Sequence, residues 1–352
     1  IKLLKYALIT AFAVIFSIAS IAIGFRISQR HASMYSRNLK SVQQIWGGQV
    51  TQQPPSFTYT KTISEQYEDK KTGELKIRTR QVQSNLGFHT QKTETAISKN
   101  LREKGLLKFP GYLLTFAGEY TIENTLGRSE NLYFNFSLPD GAGNISAIGV
   151  TLDGKKYTGD SNLADGIQWA KRMQPGETHV LRISYSAQGT QSFTYALGNR
   201  KIEIKNLKAM LTTDFVDTRI PDGAMVPTSE APGEAGKTLT WTGENLVTGQ
   251  DIALDFQISG NYGALISKMF FYSPLAIFLF LGFLVIFSVA RQLELHPMHY
   301  LFILTGFFIY YLLGSYMVSY MNIIGAILLS LAISTGIVLY YTMLIKKGKE
   351  IT

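Results

Sequence analysis

The sequence predicts an α+β membrane protein, with a large extracytoplasmic β-sandwich-like domain inserted between an N-terminal anchor helix and a C-terminal three-helix transmembrane bundle. Three observations predict it. The apolar residues of the 352-residue chain pile up at its two ends. The middle alternates polar and apolar residues with period two, as half-buried strands do. Only 17% of residues are charged, and few of them fall inside the apolar runs.

The anchor comes first. No charge occurs from Tyr6 to Phe25, and about twenty residues at about 1.5 Å each match the hydrocarbon thickness of a bilayer. A cleaved signal peptide has an apolar core of about 7–15 residues, so this run reads as an uncleaved anchor. The second span is expected from about Met269 to Ala290, with Pro274 in its first turn, where a missing N–H is tolerated. The third is expected from Met298 to Val318 and the fourth from Asn322 to Ile345. The boundaries are therefore 1–25 for the anchor, 26–268 for the outer domain, 269–345 for three spans and 346–352 for a basic tail. Lys2, Lys5, Arg291, Lys346, Lys347 and Lys349 fall on one side, which the positive-inside rule makes the cytoplasm. Long domains translocate largely regardless of charge, so Arg26, Arg30, Arg37 and Lys40 stay with the outer domain.

The outer domain is then read in order. Arg26 to Trp46 should continue the first span as a helix. At about 100° per residue Arg26, Arg30, Arg37 and Lys40 share one stripe, opposite Ile27, Met34, Tyr35, Leu39, Val42, Ile45 and Trp46. That stripe is the candidate contact to acidic lipid or a partner, weighed against a merely solvated face. After Pro54-Pro55, the segments Phe57–Thr60, Asn131–Phe136, Leu181–Tyr185, Phe193–Tyr195 and Lys201–Ile204 read as strands. Asp140-Gly141, Asp153-Gly154 and Asp222-Gly223 read as turns, and Asn162–Met173 as one short helix. Residues 26–268 hold 28 Lys/Arg against 23 Asp/Glu. So mild an excess is no nucleic-acid signature.

Chemistry is sparse. The chain has no cysteine, which excludes disulfides, zinc-thiolate sites and thiol nucleophiles. His296 and His299 have i,i+3 spacing, but Pro297 lies between them and only Glu294 offers a third ligand, so no metal is assigned. No cofactor motif and no catalytic set is evident. The spans carry no Asp, Glu, Lys or Arg, which argues against ion coupling. Ala326, Ser330 and Ser334, four residues apart, and Tyr310 and Tyr311 are expected to face other helices.

Short blocks along the chain resemble a known family. Trp46-Gly47-Gly48-Gln49 is similar to its W-G-G-x-Q block. Lys104-Gly105-Leu106 with Pro110 and Tyr112 is similar to R-G-I-x-x-x-P-x-Y. Thr213-Asp214-Phe215 with Pro221, Gly223 and Pro227-Thr228 resembles its T-x-F…F-P-x-G…S-P-T block. Trp241, Asn245-Leu246 and Gly249-Gln250 resemble W-x-x-x-N-L-x-x-G-Q. Lys268, Phe270-Phe271 and Pro274 resemble R-x-x-F-F-A-P, and Leu295-His296-Pro297-Met298-His299-Tyr300 resembles L-H-P-M-N-Y. These blocks are similar to those of CreD-type inner-membrane proteins, linked to cell-envelope integrity. The resemblance implies the bacterial inner membrane and no established catalytic residue. Members of that family continue into further spans, so it also implies a short member or a longer chain. The block residues themselves read as structural, through turns, caps and packing.

The expectation is thus a non-enzymatic protein of cell-envelope integrity or stress response, both termini cytoplasmic, needing no cofactor. Its periplasmic domain would bind or sense an envelope component: lipid, glycan or another membrane protein. Membrane lipids are partners and nucleic acid is not. The alternatives are a membrane-tethered envelope-glycan hydrolase, marked by two facing carboxylates, and an accessory subunit of a larger membrane complex.

Overall fold

The structure is a computed structural model that describes residues 2–68, 75–105, 107–157, 166–198, 202–233, 236–258, 261–293, 295–318 and 320–349. Leu106, residues 162–165, Lys201 and Glu294 lie outside the described residues. The chain divides into two compact units: Leu39–Lys104 with Lys108–Ile258, and Ile1–Asn38 with Gly105–Leu107 and Ser259–Thr352.

The first unit is β-rich. Its long sheet has eight strands among the described residues. In spatial order they are Lys155–Lys156, Ile145–Leu152, Thr178–Thr190, Gly111–Glu123, Phe88–Lys99, Ile204–Thr213, Gly236–Leu246 and Ser229–Gly233. Neighbours are antiparallel except Phe88–Lys99 with Ile204–Thr213. Strict alternation sorts the faces. Along Gly111–Glu123, Leu114, Phe116, Tyr120 and Ile122 are buried while Leu113, Thr115 and Ala117 are exposed. The buried face packs on a four-stranded and a five-stranded sheet. Phe116 lies 5.1 Å from Tyr185 of its own sheet, 6.2 Å from Phe136 of the four-stranded sheet and 6.0 Å from Tyr195 of the five-stranded one. Buried hydroxyls find partners, as they must: Tyr185 donates to Gln52 Oε1 at 2.7 Å and Tyr112 to the Ser192 carbonyl at 2.6 Å.

Three expectations fail here. Ile167–Met173 is a strand, not a helix, paired with Glu130–Phe136. Its Ala, Lys, Arg and Met favour a helix, but burying Ile167, Trp169 and Met173 beside a strand outweighs that weak preference. Of the expected strand Lys201–Ile204, the described Ile202 and Glu203 are not strand; pairing begins only at Ile204. Asp140-Gly141 is not a turn but part of a short strand on Gly47–Gln52. Asp153-Gly154 does turn, both residues at positive φ (49° and 78°).

The second unit is helical. Helix α1, Lys2–Trp46, runs unbroken through the expected anchor and basic stripe, its last residues belonging to the β-rich unit. Arg26, Arg30, Arg37 and Lys40 are exposed, but so are Met34 and Ile45 of the opposite half. Helices α2 (Gly263–Ala290), α3 (Pro297–Met317) and α4 (Ile323–Lys349) follow. All four are long and apolar enough to cross a membrane.

Helix α2 starts six residues before Met269, so Lys268 lies inside it and Pro274 is interior rather than in the first turn. An interior proline strips the carbonyl four residues back of its donor. That carbonyl, Phe270 O, instead accepts from Ser273 Oγ at 3.0 Å and from Ser20 Oγ of α1 at 3.1 Å, the two hydroxyls also touching. Ser267 Oγ donates in turn to Gly24 O at 3.0 Å. Ala326, Ser330 and Ser334 are buried, and Ser334 Oγ donates to Gly306 O of α3 at 2.7 Å, as small-residue packing requires. Tyr311 is buried against Phe270, 6.0 Å between centroids, with Tyr310 partly covered beside it.

Candidate functional site

The family-like blocks gather into separate clusters. In the β-rich unit the Trp46 and Pro110–Tyr112 blocks meet. The Arg102 guanidinium lies over the Trp46 ring at 3.2 Å, and Trp46 Nε1 donates to Tyr112 O at 3.3 Å. Burial lowers the Arg102 pKa, and the ring face supplies a cation–π contact in place of a carboxylate. Gln191 N donates to Pro110 O at 2.9 Å, and Thr190 Oγ1 to Gly47 O at 3.0 Å. Gly47 has φ +102°, and a Cβ there would sit 2.3 Å from Gly143 N, so only glycine fits. Gln49 is exposed and Gly48 half-buried. Gly105 turns a two-stranded hairpin at φ +63°.

Elsewhere in that unit Ala224 N donates to Pro221 O at 3.1 Å around Gly223 (φ +85°). Buried Trp241 donates to Met225 O at 2.9 Å, and Met225 N to Asp251 O at 2.8 Å, next to exposed Gln250. In the helical unit Pro297 is the first residue of α3, and His296 Nδ1 accepts from Met298 N at 3.3 Å. His299 turns instead to Tyr341 OH at 3.0 Å. The two histidines thus serve different partners, and among the described residues no group of three or more His, Cys, Asp or Glu could hold a metal. Tyr300 is buried under Lys5, 5.8 Å from the ring centroid. Most of the contacts named in these clusters close the backbone or pack rings.

A different place has the form of a binding site. The outer face of the eight-stranded sheet is open, with small, polar and charged residues on it: Ala96, Thr115, Ala117, Ser184, Lys208 and Thr212 are exposed. A groove of about 340 Å³ crosses that face, lined by Lys92, Glu94, Ala117, Glu119, Gly149, Thr151, Arg182 and Ser184, among others. Strand register creates it. Lys92, Glu119, Arg182 and Thr151 lie side by side on four adjacent strands, and Glu94, Ala117, Ser184 and Gly149 form the next row. The small residues of the second row make the hollow; a Cβ on Gly149 would meet Ser184 Oγ at 2.9 Å. Ion pairs fix its charges: Arg182 Nε to Glu119 at 2.5 Å and Lys92 to Glu94 at 2.9 Å. The hydrogen bond and charge of Glu94 raise the Lys92 pKa, so its ammonium persists. The geometry is a row of alternating charges, Lys92, Glu119 and Arg182, with Glu94 in the row beside it. A wider hollow of about 660 Å³ lies at Tyr59, Lys61, Gln81 and Arg128. It borders the hairpin of Ser56–Glu68 and Leu75–Asn85, whose Leu75 end pairs with no third strand among the described residues. Sites on central strands hold their geometry better.

A second charged cluster borders the sheet. His179 Nδ1 is 2.7 Å from Asp153, and its Nε2 is 3.0 Å from Glu177, which Lys171 also holds at 2.6 Å. The Glu177 pKa falls to about 2, first through the Lys171 hydrogen bond, then through Gln174 N–H and His179. Burial raises that of Asp153, but the Val180 N–H and the His179 ring outweigh it and the net direction is down. Trp169 closes the cluster edge-on at 5.2 Å from the histidine ring.

No family model and no curated protein matches the chain. Among solved structures, 64% of it aligns with 75% of a Legionella pneumophila protein provisionally named a nutrient binding protein, at 14% identity and a TM-score of 0.34. It also aligns over 48% with an M1 zinc metallopeptidase from Deinococcus radiodurans, at 11% identity and a TM-score of 0.30, spanning 42% of that enzyme.

Proposed function

We propose that this is a non-enzymatic inner-membrane protein of cell-envelope integrity. Four apolar helices anchor it with both termini in the cytoplasm, and the periplasmic β domain binds an envelope component on its open sheet face. One observation carries the reading: the longest sheet leaves a whole face to solvent, and the hollow in it is lined by paired charges and small side chains rather than by a catalytic set. The CreD-type resemblance and the distribution of basic residues support the location. The charged side chains at the groove, Lys92, Glu94, Glu119 and Arg182, suit the polar groups of a glycan or a lipid headgroup, and its small apolar floor suits the flat face of either.

Native mass spectrometry of the full chain, extracted gently from its own membrane, tests binding. The expected result is a retained envelope molecule that Ser184→Trp, which fills the groove from an exposed position, displaces. A bare chain, or a ligand indifferent to Ser184→Trp, overturns the reading. Orientation is tested independently, because the chain has no cysteine. Thr212→Cys should react with a membrane-impermeant maleimide from the periplasmic side, and Gln292→Cys only after the membrane is opened.

A further inference from the structure

We infer that the outer ends of α1 and α2 form a binding collar for anionic phospholipid headgroups, built from Arg26, Arg30 and Lys268, and that Arg37 and Lys40 lie beyond its reach. This rests on the membrane-anchored reading above and assigns one ligand class to one level of the helical unit. The helix contacts set the levels. Ser267 Oγ bonds Gly24 O, and further out Gly263 packs against His31, where an added Cβ would lie 2.0 Å from the ring. Arg26 and Arg30 therefore occupy the same slab as residues 263–268. Arg26, Arg30 and Lys268 are all exposed. Tyr272, one turn below Lys268 on the same face, is 73% exposed. A tyrosine below a cation on an apolar helix is the side-chain order of a membrane–water interface.

Charge balance points to the ligand. Neither α1 nor α2 contains an aspartate or glutamate, so these cations have no carboxylate on their own helices. Lipid phosphates at headgroup depth would supply the counter-charge. Distance separates the two halves of the basic stripe. A headgroup layer is about 5–8 Å thick on each side. At about 1.5 Å per residue, Arg26 and Arg30 stand about 1.5 and 7.5 Å beyond Phe25 along α1, within that layer. Arg37 and Lys40 stand about 18 and 22 Å beyond it, more than a Debye length of about 8 Å above the headgroups.

The test uses the full chain in a neutral detergent, titrated with phosphatidylglycerol or phosphatidylcholine, with bound lipid counted by native mass spectrometry. Wild type should retain phosphatidylglycerol in preference. Each cation removed among Arg26→Gln, Arg30→Gln and Lys268→Gln should lower that preference about fivefold, and all three on the order of a hundredfold. Arg37→Gln with Lys40→Gln should leave it unchanged, and Arg26→Lys should retain it. No preference in wild type, or a preference lost with Arg37 and Lys40 but not with the collar, overturns the inference. Carbonate extraction of the membrane fraction separates the two levels of failure. A chain released by carbonate refutes membrane anchoring itself, whereas a retained chain without lipid preference refutes only the collar.

Discussion

The Phe270 carbonyl offers a quantitative test of how α1 and α2 are joined. Pro274 cannot donate to it, and both Ser20 and Ser273 do. Ser20→Ala leaves Ser273 in place, so it should cost about 0.6 kcal/mol, the mean for hydrogen bonds between helices in membranes. Removing both hydroxyls leaves a carbonyl without a donor in apolar surroundings, a further penalty of about 1–3 kcal/mol. Pro274→Ala restores the N–H at the i→i−4 position and makes both serines redundant. The paired serine substitution should then cost less than about 0.5 kcal/mol, the usual tolerance on additivity. The coupling between the serine pair and residue 274 is therefore about 1–3 kcal/mol. It can be read from SDS titration of the full chain in mixed micelles, with a fluorophore pair on α1 and α2 reporting their separation. Equal costs of the serine pair with and without Pro274 would refute the assignment of those hydroxyls to that carbonyl.

Two further outcomes concern the β-rich unit. Gly47→Ala forces a side chain into positive φ and against Gly143 N and Gln188 O, for about 2–6 kcal/mol from strain and overpacking together. Gly48→Ala, whose nearest neighbour would be Gly141 O at 3.7 Å, should be near neutral. Thermal unfolding followed by circular dichroism separates them by at least about 4 °C, and similar midpoints would sink the backbone argument. Glu177, with its folded pKa depressed from 4.5 to about 2, contributes stability that is present above 4.5 and lost as pH falls toward 2. Glu177→Gln should flatten that limb of the acid titration, and an unchanged slope would show that the ion pairs do not couple to folding.

The helices were legible because a bilayer demands a long apolar run, which composition displays directly. Their ends were less so. Gly263–Lys268 mixes apolar and polar residues, so hydropathy marks a span from about Met269 but not the earlier start of the helix, which makes Pro274 interior. Strand existence was legible where aromatic and β-branched residues alternate, as in Asn131–Phe136. Ile167–Met173 was not, because its composition favours a helix and its partner strand decides otherwise. The groove was invisible from the sequence. Lys92, Glu119, Thr151 and Arg182 come from four strands, and only register sets them in one row.

That contrast bears on what the family-like blocks mean. Trp46, Gly47, Pro110 and Tyr112 close one backbone junction, and Pro221, Gly223 and Trp241 build another. Pro274 fits a helix whose neighbour supplies the missing donor. None of the groove residues Lys92, Glu94, Glu119, Arg182 or Ser184 falls in any block. Most of the segments that carry the resemblance hold the scaffold, and the groove proposed above lies in the segments between them. A resemblance of this kind bears on architecture and is silent about the ligand.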